Sequence, residues 1–153
     1  MSTALPQSEA EILWRDLERA FPTSPIHRAL GLSLEVVGAG DVRIHYNGEQ
    51  QGANIRGKAA GGTLAQMVDS AVVQACKTRL NGTEAVATLE LKINYLRPGP
   101  PNAPLVATAS IEHLGKSTCV GTGRVATEDG KVVAVGLVTV SIRPRGMDSH
   151  AQS

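Results

Sequence analysis

Apolar residues set the first element: Ile12, Leu13, Leu17, Ala20 and Phe21 recur at helical spacing until Pro22 stops the run. Ser8 and Glu11 stand three apart ahead of them, a capping-box pattern, so an amphipathic helix is predicted at the N-terminus. Residues 23–31 read as a turn with a single helical turn over 27–30, followed by strand-like runs at 32–37 and 42–46. The Gly38-Ala39-Gly40-Asp41 stretch between those runs is hairpin chemistry. Residues 47–62 then hold Gly48, Gly52, Gly57, Gly61 and Gly62 and almost no large apolar side chain, which predicts a long, functional loop.

From 63 to about 80 the period is helical again. Leu64, Met67, Val68, Ala71, Val72 and Ala75 fall on one wide arc, and Gln66, Ser70 and Lys77 fall on the other, so a half-buried helix is expected, ended by Asn81-Gly82. The period then switches to two. Ala85, Ala87, Leu89, Leu91, Ile93 and Tyr95 alternate with polar or smaller neighbours, and Pro98-Gly99-Pro100-Pro101 closes that strand. Three further strands are predicted at 105–113, 118–127 and 132–143, the last two joined by the turn Glu128-Asp129-Gly130-Lys131. The order is that of an α+β chain with an antiparallel sheet of about six strands, curled around one long central helix and preceded by a helical extension. One helix cannot cover both faces of such a sheet, so a homo-oligomer is expected.

Composition narrows the picture further. The chain has 153 residues, 42% of them hydrophobic, which suits one ordinary domain. Aromatics make up only 3%, so the core is aliphatic. Fifteen Lys and Arg stand against 14 Asp and Glu and are scattered, which argues against nucleic acid as a partner. Two distant cysteines, Cys76 and Cys119, and a polar start containing Pro6 point to a reduced, cytoplasmic protein, and no apolar stretch reaches the roughly 20 residues of a membrane span.

Candidate chemistry gathers at the glycine-rich loop, because a helix N-terminus offers free backbone N–H groups and partial positive charge to a carbonyl or an anion. The stretch 57–63 lacks the Gly-Lys-Ser or Gly-Lys-Thr ending of a phosphate loop and makes no dinucleotide fingerprint. Close backbone packing explains such glycines equally well. Asp69 lies two turns into the helix, about 140° from Leu64 at the border of the apolar arc. A carboxylate there either faces solvent or, partly desolvated against an apolar wall, becomes a stronger base or nucleophile. His27, His45 and His150 sit beside structural elements or in the polar tail, which leaves His113 as the one histidine with any catalytic case. The sequence holds neither a metal-ligand cluster nor a nucleophile elbow.

Asn54-Ile55-Arg56-Gly57-Lys58-Ala59-Ala60-Gly61-Gly62, followed by Leu64-Ala65-Gln66-Met67-Val68-Asp69, resembles the hotdog-fold acyl-CoA thioesterases of the phenylacetate-degradation (PaaI-like) type. The resemblance runs from about His27 to Arg143 and includes the run from Thr88 to Pro98 and Gly115-Lys116-Ser117. It implies a hotdog domain over 26–145, with a helical extension at 1–25 and a polar tail at 146–153. It also implies hydrolysis of a small aryl- or medium-chain acyl-CoA to free acid and CoA. Asp69 would be general base or nucleophile, the Gly61 N–H would hold the oxyanion, the Asn54 amide would sit near the thioester, and Thr88 would orient the hydrolytic water. In this family the site lies between protomers, with Asn54 and Gly61 facing Asp69 and Thr88 of a neighbour, and the assembly implied is a homotetramer, a dimer of dimers.

No resident cofactor follows, since coenzyme A is part of the substrate. Gly62, Arg97, Lys116, Ser117 and Arg143 are the candidates for holding it, with Arg145 a further nearby cation. Two features stand against the pattern. Ala60 occupies the place of the family's usual histidine, which makes a non-catalytic acyl-CoA binder the alternative function; a hotdog dehydratase is a weaker third, for want of a histidine in the loop. Thr88 also falls on the strand face opposite Leu89 and Leu91, so its hydroxyl reaches Asp69 only if twist or a bulge brings it back.

Overall fold

The structure is a computed structural model and describes residues 5–146; the expected polar tail therefore lies, beyond Gly146, outside the described residues. Six antiparallel strands form one sheet in the order β1-β2-β4-β5-β6-β3, built from β1 (Leu32–Gly38), β2 (Asp41–Tyr46), β3 (Glu84–Tyr95), β4 (Leu105–Leu114), β5 (Thr118–Thr127) and β6 (Val132–Pro144). The sheet wraps the long helix α3 (Gly61–Lys77), and α1 (Gln7–Ala20) and α2 (Pro25–Leu30) precede it. The expected α+β architecture, six strands around a central helix with an N-terminal helical part, is the one observed.

α3 sits unusually close to the sheet. A Cβ added to Gly123 or Gly136 would lie 2.8 Å from the Val68 side chain, and one added to Gly121 would lie 2.8 Å from Val72. These glycines of β5 and β6 form a seam into which the valines of the helix settle, with Val68, Val72, Val125 and Val138 fully buried. The core is aliphatic along this seam, as the composition implied, while Phe21 and Tyr46 are aromatic members of the same core.

α3 is also buried on the side predicted to be polar, at Ser70, which is 2% exposed. The covering comes from α2. His27 stacks on Phe21 with ring centroids 3.8 Å apart, its Nδ1 lies 2.9 Å from the Phe21 carbonyl, and its Nε2 lies 3.1 Å from the Ser70 hydroxyl. α1 is tied to the same body by two long-range bonds: Trp14 Nε1 donates to the Thr78 carbonyl at 3.1 Å, and Glu18 accepts from the Val36 N–H at 2.7 Å. Cys76 and Cys119 are buried free thiols in contact, and that contact, with burial, pushes the Cys76 thiol up.

Three local expectations are corrected. α1 begins at Gln7, and the Pro6 carbonyl, rather than a Ser8 side chain, accepts the N–H groups of Glu9 and Ala10, so the capping box does not form. α3 starts at Gly61 and ends at Lys77, where Thr78 closes it by donating its N–H to Gln74; Gly82, at φ +87°, belongs to the later turn into β3. In β3 the alternation changes phase. Thr88 pairs with Val140 and Glu90 with Thr139, leaving Leu89 as an extra residue, 60% exposed. Val86 and Thr88 therefore face the helix before the bulge, and Leu91, Ile93 and Tyr95 face it afterwards, opposite Val138, Gly136 and Ala134.

Candidate active site

The loop before α3 is folded onto its own polar groups. The Asn54 carboxamide oxygen accepts from the Arg56 N–H at 2.9 Å and from the Lys58 N–H at 3.3 Å, and Asn54 N–H donates to Lys58 O at 2.7 Å. The Asn54 amide nitrogen has no partner among the described residues, so its donors remain free. The loop hands over to α3 at Ala60, which donates its N–H to Gly52 O at 2.8 Å but offers no side-chain cap. The N–H groups of Gly61, Gly62 and Thr63 consequently have no protein partner among the described residues, and together with the helix dipole they form an electropositive end. Asn54, Gly61, Tyr95 and Arg97 line one hollow of about 420 Å³ with the apolar Leu64 and Leu96.

Asp69, part-buried in the middle of α3, meets Thr88 of the same chain: the Thr88 hydroxyl donates to its carboxylate at 2.6 Å. The bulge at Leu89 lets both Thr88 and Leu91 face the helix, which removes the conflict raised by simple alternation. With its proton committed to Asp69, the Thr88 oxygen keeps lone pairs for a water beside the carboxylate. Asp69 is eight residues from Gly61, about 12 Å along the axis at about 1.5 Å per residue.

The candidate cations do not form one group. Arg97 follows the C-terminal end of β3 and lines the hollow at Gly61, whereas Arg143 pairs with Ala85 at the other end of that strand. Lys116 and Arg143 line a second hollow of about 670 Å³ with Arg79, Ile142 and Glu84, one carboxylate oxygen of which is buried without a hydrogen-bond partner. Ser117 is exposed beside Lys116, its carbonyl accepting the Ile142 N–H at 2.8 Å, and Arg145 is engaged through Nε with the Glu84 carbonyl at 3.1 Å. Gly62 is open, with nothing within 4 Å of where a Cβ would stand. His113 is exposed on β4 and lines neither hollow, and no group of three or more metal-ligating side chains occurs among the described residues.

Tyr95, Lys58 and Arg79 were not singled out by the sequence. Tyr95 read as one more apolar position of a strand, while the positions of Lys58 in the loop and of Arg79 just past the helix were the only available signals for those two.

The sequence profile of the thioesterase superfamily matches residues 57–134, just over half of the chain and the part that carries Gly61, Asp69 and Thr88. The chain belongs to the thioesterase superfamily. Members of the superfamily similar to it include the acyl-coenzyme A thioesterase PaaI of Escherichia coli K12, 29% identical over 122 residues that span 80% of this chain and 85% of that protein. The structure of E. coli PaaI, from the phenylacetic acid degradation operon, superposes with a TM-score of 0.74 at 25% identity, covering 88% of this chain and 93% of that one. A PaaI variant from Thermus thermophilus gives 0.68 at 30% identity, covering 77% and 98%. A Haemophilus influenzae thioesterase, only 20% identical, shares the fold with a TM-score of 0.81 over 90% of this chain and 94% of that one. The hotdog thioesterase fold implied by the sequence motifs is thus the fold of this superfamily member, and the hydrolase class follows from the same matches.

Proposed function

We propose that this thioesterase hydrolyses an acyl-CoA carrying a small aryl or medium-chain acyl group, with Asp69 as general base or nucleophile. The observation that carries the reading is the carboxylate of Asp69, held by the Thr88 hydroxyl, on a helix whose own N-terminus presents unpaired N–H groups. A nucleophile and an oxyanion donor must both lie within about 3 Å of one carbonyl group. About 12 Å of helix axis separates Asp69 from Gly61 in one chain, so the reading requires a second copy, Gly61 and Asn54 of one protomer serving the thioester attacked through Asp69 and Thr88 of the other. β3 supports such an assembly, being a twelve-residue edge strand paired only with β6 in the single chain. A homotetramer built as a dimer of dimers remains the assembly proposed.

In this arrangement Asp69 takes a proton from water as the water oxygen attacks the thioester carbonyl, and the N–H of Gly61 stabilises the tetrahedral oxyanion. Collapse breaks the C–S bond, and the proton held by Asp69 passes to the departing thiolate. If Asp69 attacks directly, the C–S bond breaks as the anhydride forms and coenzyme A leaves as a thiolate that takes a proton from water, after which water hydrolyses the anhydride to the free acid and the Asp69 carboxylate. The phosphates of coenzyme A suit the hollow of Lys116, Arg143 and Arg79, where Ser117 and its neighbours are exposed, while Arg97 and Gly62 stand at the helix N-terminus.

Coenzyme A release from a panel of aryl and medium-chain thioesters, by native protein and by Asp69→Ala, tests the reading. Loss of about a hundredfold or more in kcat with the fold intact is expected; equal rates would reject Asp69 as the reacting group. A second reading is favoured by Ala60, which leaves the loop without a side-chain cap: a non-catalytic acyl-CoA binder. It requires saturable acyl-CoA binding by calorimetry with no thiol released by the native chain.

A further inference from the structure

Tyr95, the last residue of β3, donates its hydroxyl proton to the carbonyl oxygen of Gly61 at 2.8 Å. The fit is close, since a Cβ on Gly61 would stand 3.2 Å from that hydroxyl oxygen. On either side the chain is tied to Gly52, whose carbonyl accepts the Ala60 N–H at 2.8 Å and the Thr63 hydroxyl at 2.7 Å. Between those ties lie two glycines in succession, the residues with the greatest backbone freedom, and Tyr95 is the one side chain bonded to them among the described residues. The contact exists only because of the bulge. Thr88 and Tyr95 are an odd number of positions apart, so in an unbroken strand one of them would turn away from α3.

We infer that Tyr95 is a positioning residue for the oxyanion donors: its phenol fixes the Gly61–Gly62 peptide, which carries the Gly62 N–H and adjoins, through the Gly61 Cα, the peptide that carries the Gly61 N–H. The inference rests on the reading of Gly61 as oxyanion donor. Such donors act through preorganisation, so loosening the peptide that carries the Gly62 N–H and borders the Gly61 N–H reduces turnover while ground-state binding persists.

Tyr95→Phe keeps the ring and removes only the hydroxyl. Measured on the same thioester panel, kcat should fall about three- to tenfold, the worth of one hydrogen bond, with KM changed by no more than about twofold. In ¹⁵N relaxation measurements the Gly61 and Gly62 amides should lose order in the variant, while the Asp69 amide does not. An unchanged kcat in an active protein, a rise in KM alone, or a fall in kcat with Gly61 and Gly62 as ordered as in the native chain would each overturn the positioning role. If the native protein releases no thiol, the catalytic reading fails by itself, and the relaxation data alone decide whether Tyr95 sets the geometry of the helix start.

Discussion

The Thr88 hydroxyl reaches the Asp69 carboxylate at 2.6 Å because the residue after it, Leu89, is left out of the ladder with β6. A bulge re-aims the side chains around it, and here it lets a polar residue and an apolar run share one face of one strand. Thr88→Val keeps the shape and removes the hydroxyl. We expect a loss of about three- to tenfold in kcat, with a thermal midpoint close to native because the site is exposed. Steady-state thioester hydrolysis alongside a melting curve checks both halves.

Asn54 presents two separable groups. Its carboxamide oxygen folds the loop by accepting from Arg56 and Lys58, while its amide nitrogen is free to meet a substrate carbonyl. Asn54→Asp retains the acceptor and deletes the donor, so it should keep the loop fold and lower kcat/KM by about tenfold or more, the cost of losing one donor at a reacting centre. Asn54→Ala should in addition disturb the amide resonances of residues 55–58, which an NMR comparison of the two variants reveals.

The glycine seam makes a stability prediction. A methyl group at Gly136 would stand 2.7 Å from the Lys92 carbonyl oxygen and 2.8 Å from Val68. Since backbone on one side cannot yield, Gly136→Ala should destabilise the protein by about 1–3 kcal/mol, measurable in denaturant unfolding. Gly130→Ala, at a turn with nothing within 4 Å but with φ +86°, serves as a comparison in which only backbone strain acts.

Lys77 gives a pH-dependent prediction. Burial, joined by the charge of Arg145, holds its ammonium below the usual lysine range. The folded state therefore disfavours protonated Lys77, a cost present at neutral pH and relieved as pH rises through the depressed folded-state value toward about 10.4, the ordinary value of the unfolded chain. Lys77→Met should raise the thermal midpoint at pH 7, more at low salt than at high, and its advantage should shrink as the pH approaches about 10.4. Melting curves across that range decide it.

Hydrophobic periodicity made α3 and all six strands legible, because both report local burial, and the spacing from Asn54 through Gly61 to Asp69 marked the candidate site. The bulge in β3 was not legible, since it arises from register with β6 and leaves no local mark. The alternation Ala85, Ala87, Leu89 consequently assigned the first half of that strand to the wrong face. Ser70 read as part of a polar face for a similar reason: α2 covers it, and His27, set aside as structural, bonds to it alongside Gln66. The candidate cations were grouped by residue type, whereas Arg97 lies past the C-terminal end of β3 and Arg143, on β6, pairs with Ala85 near the other end.

The seam beneath α3 also limits how the family site can vary in this chain. Where Val68 rests on Gly123 and Gly136, the helix lies at the smallest separation the backbone allows, and the next residue is Asp69. A side chain introduced along that line meets Val68 or backbone at under 3 Å, so the helix or the strands must shift to admit it. The position of α3, and with it that of Asp69, thus depends on residues that have no side chain at all.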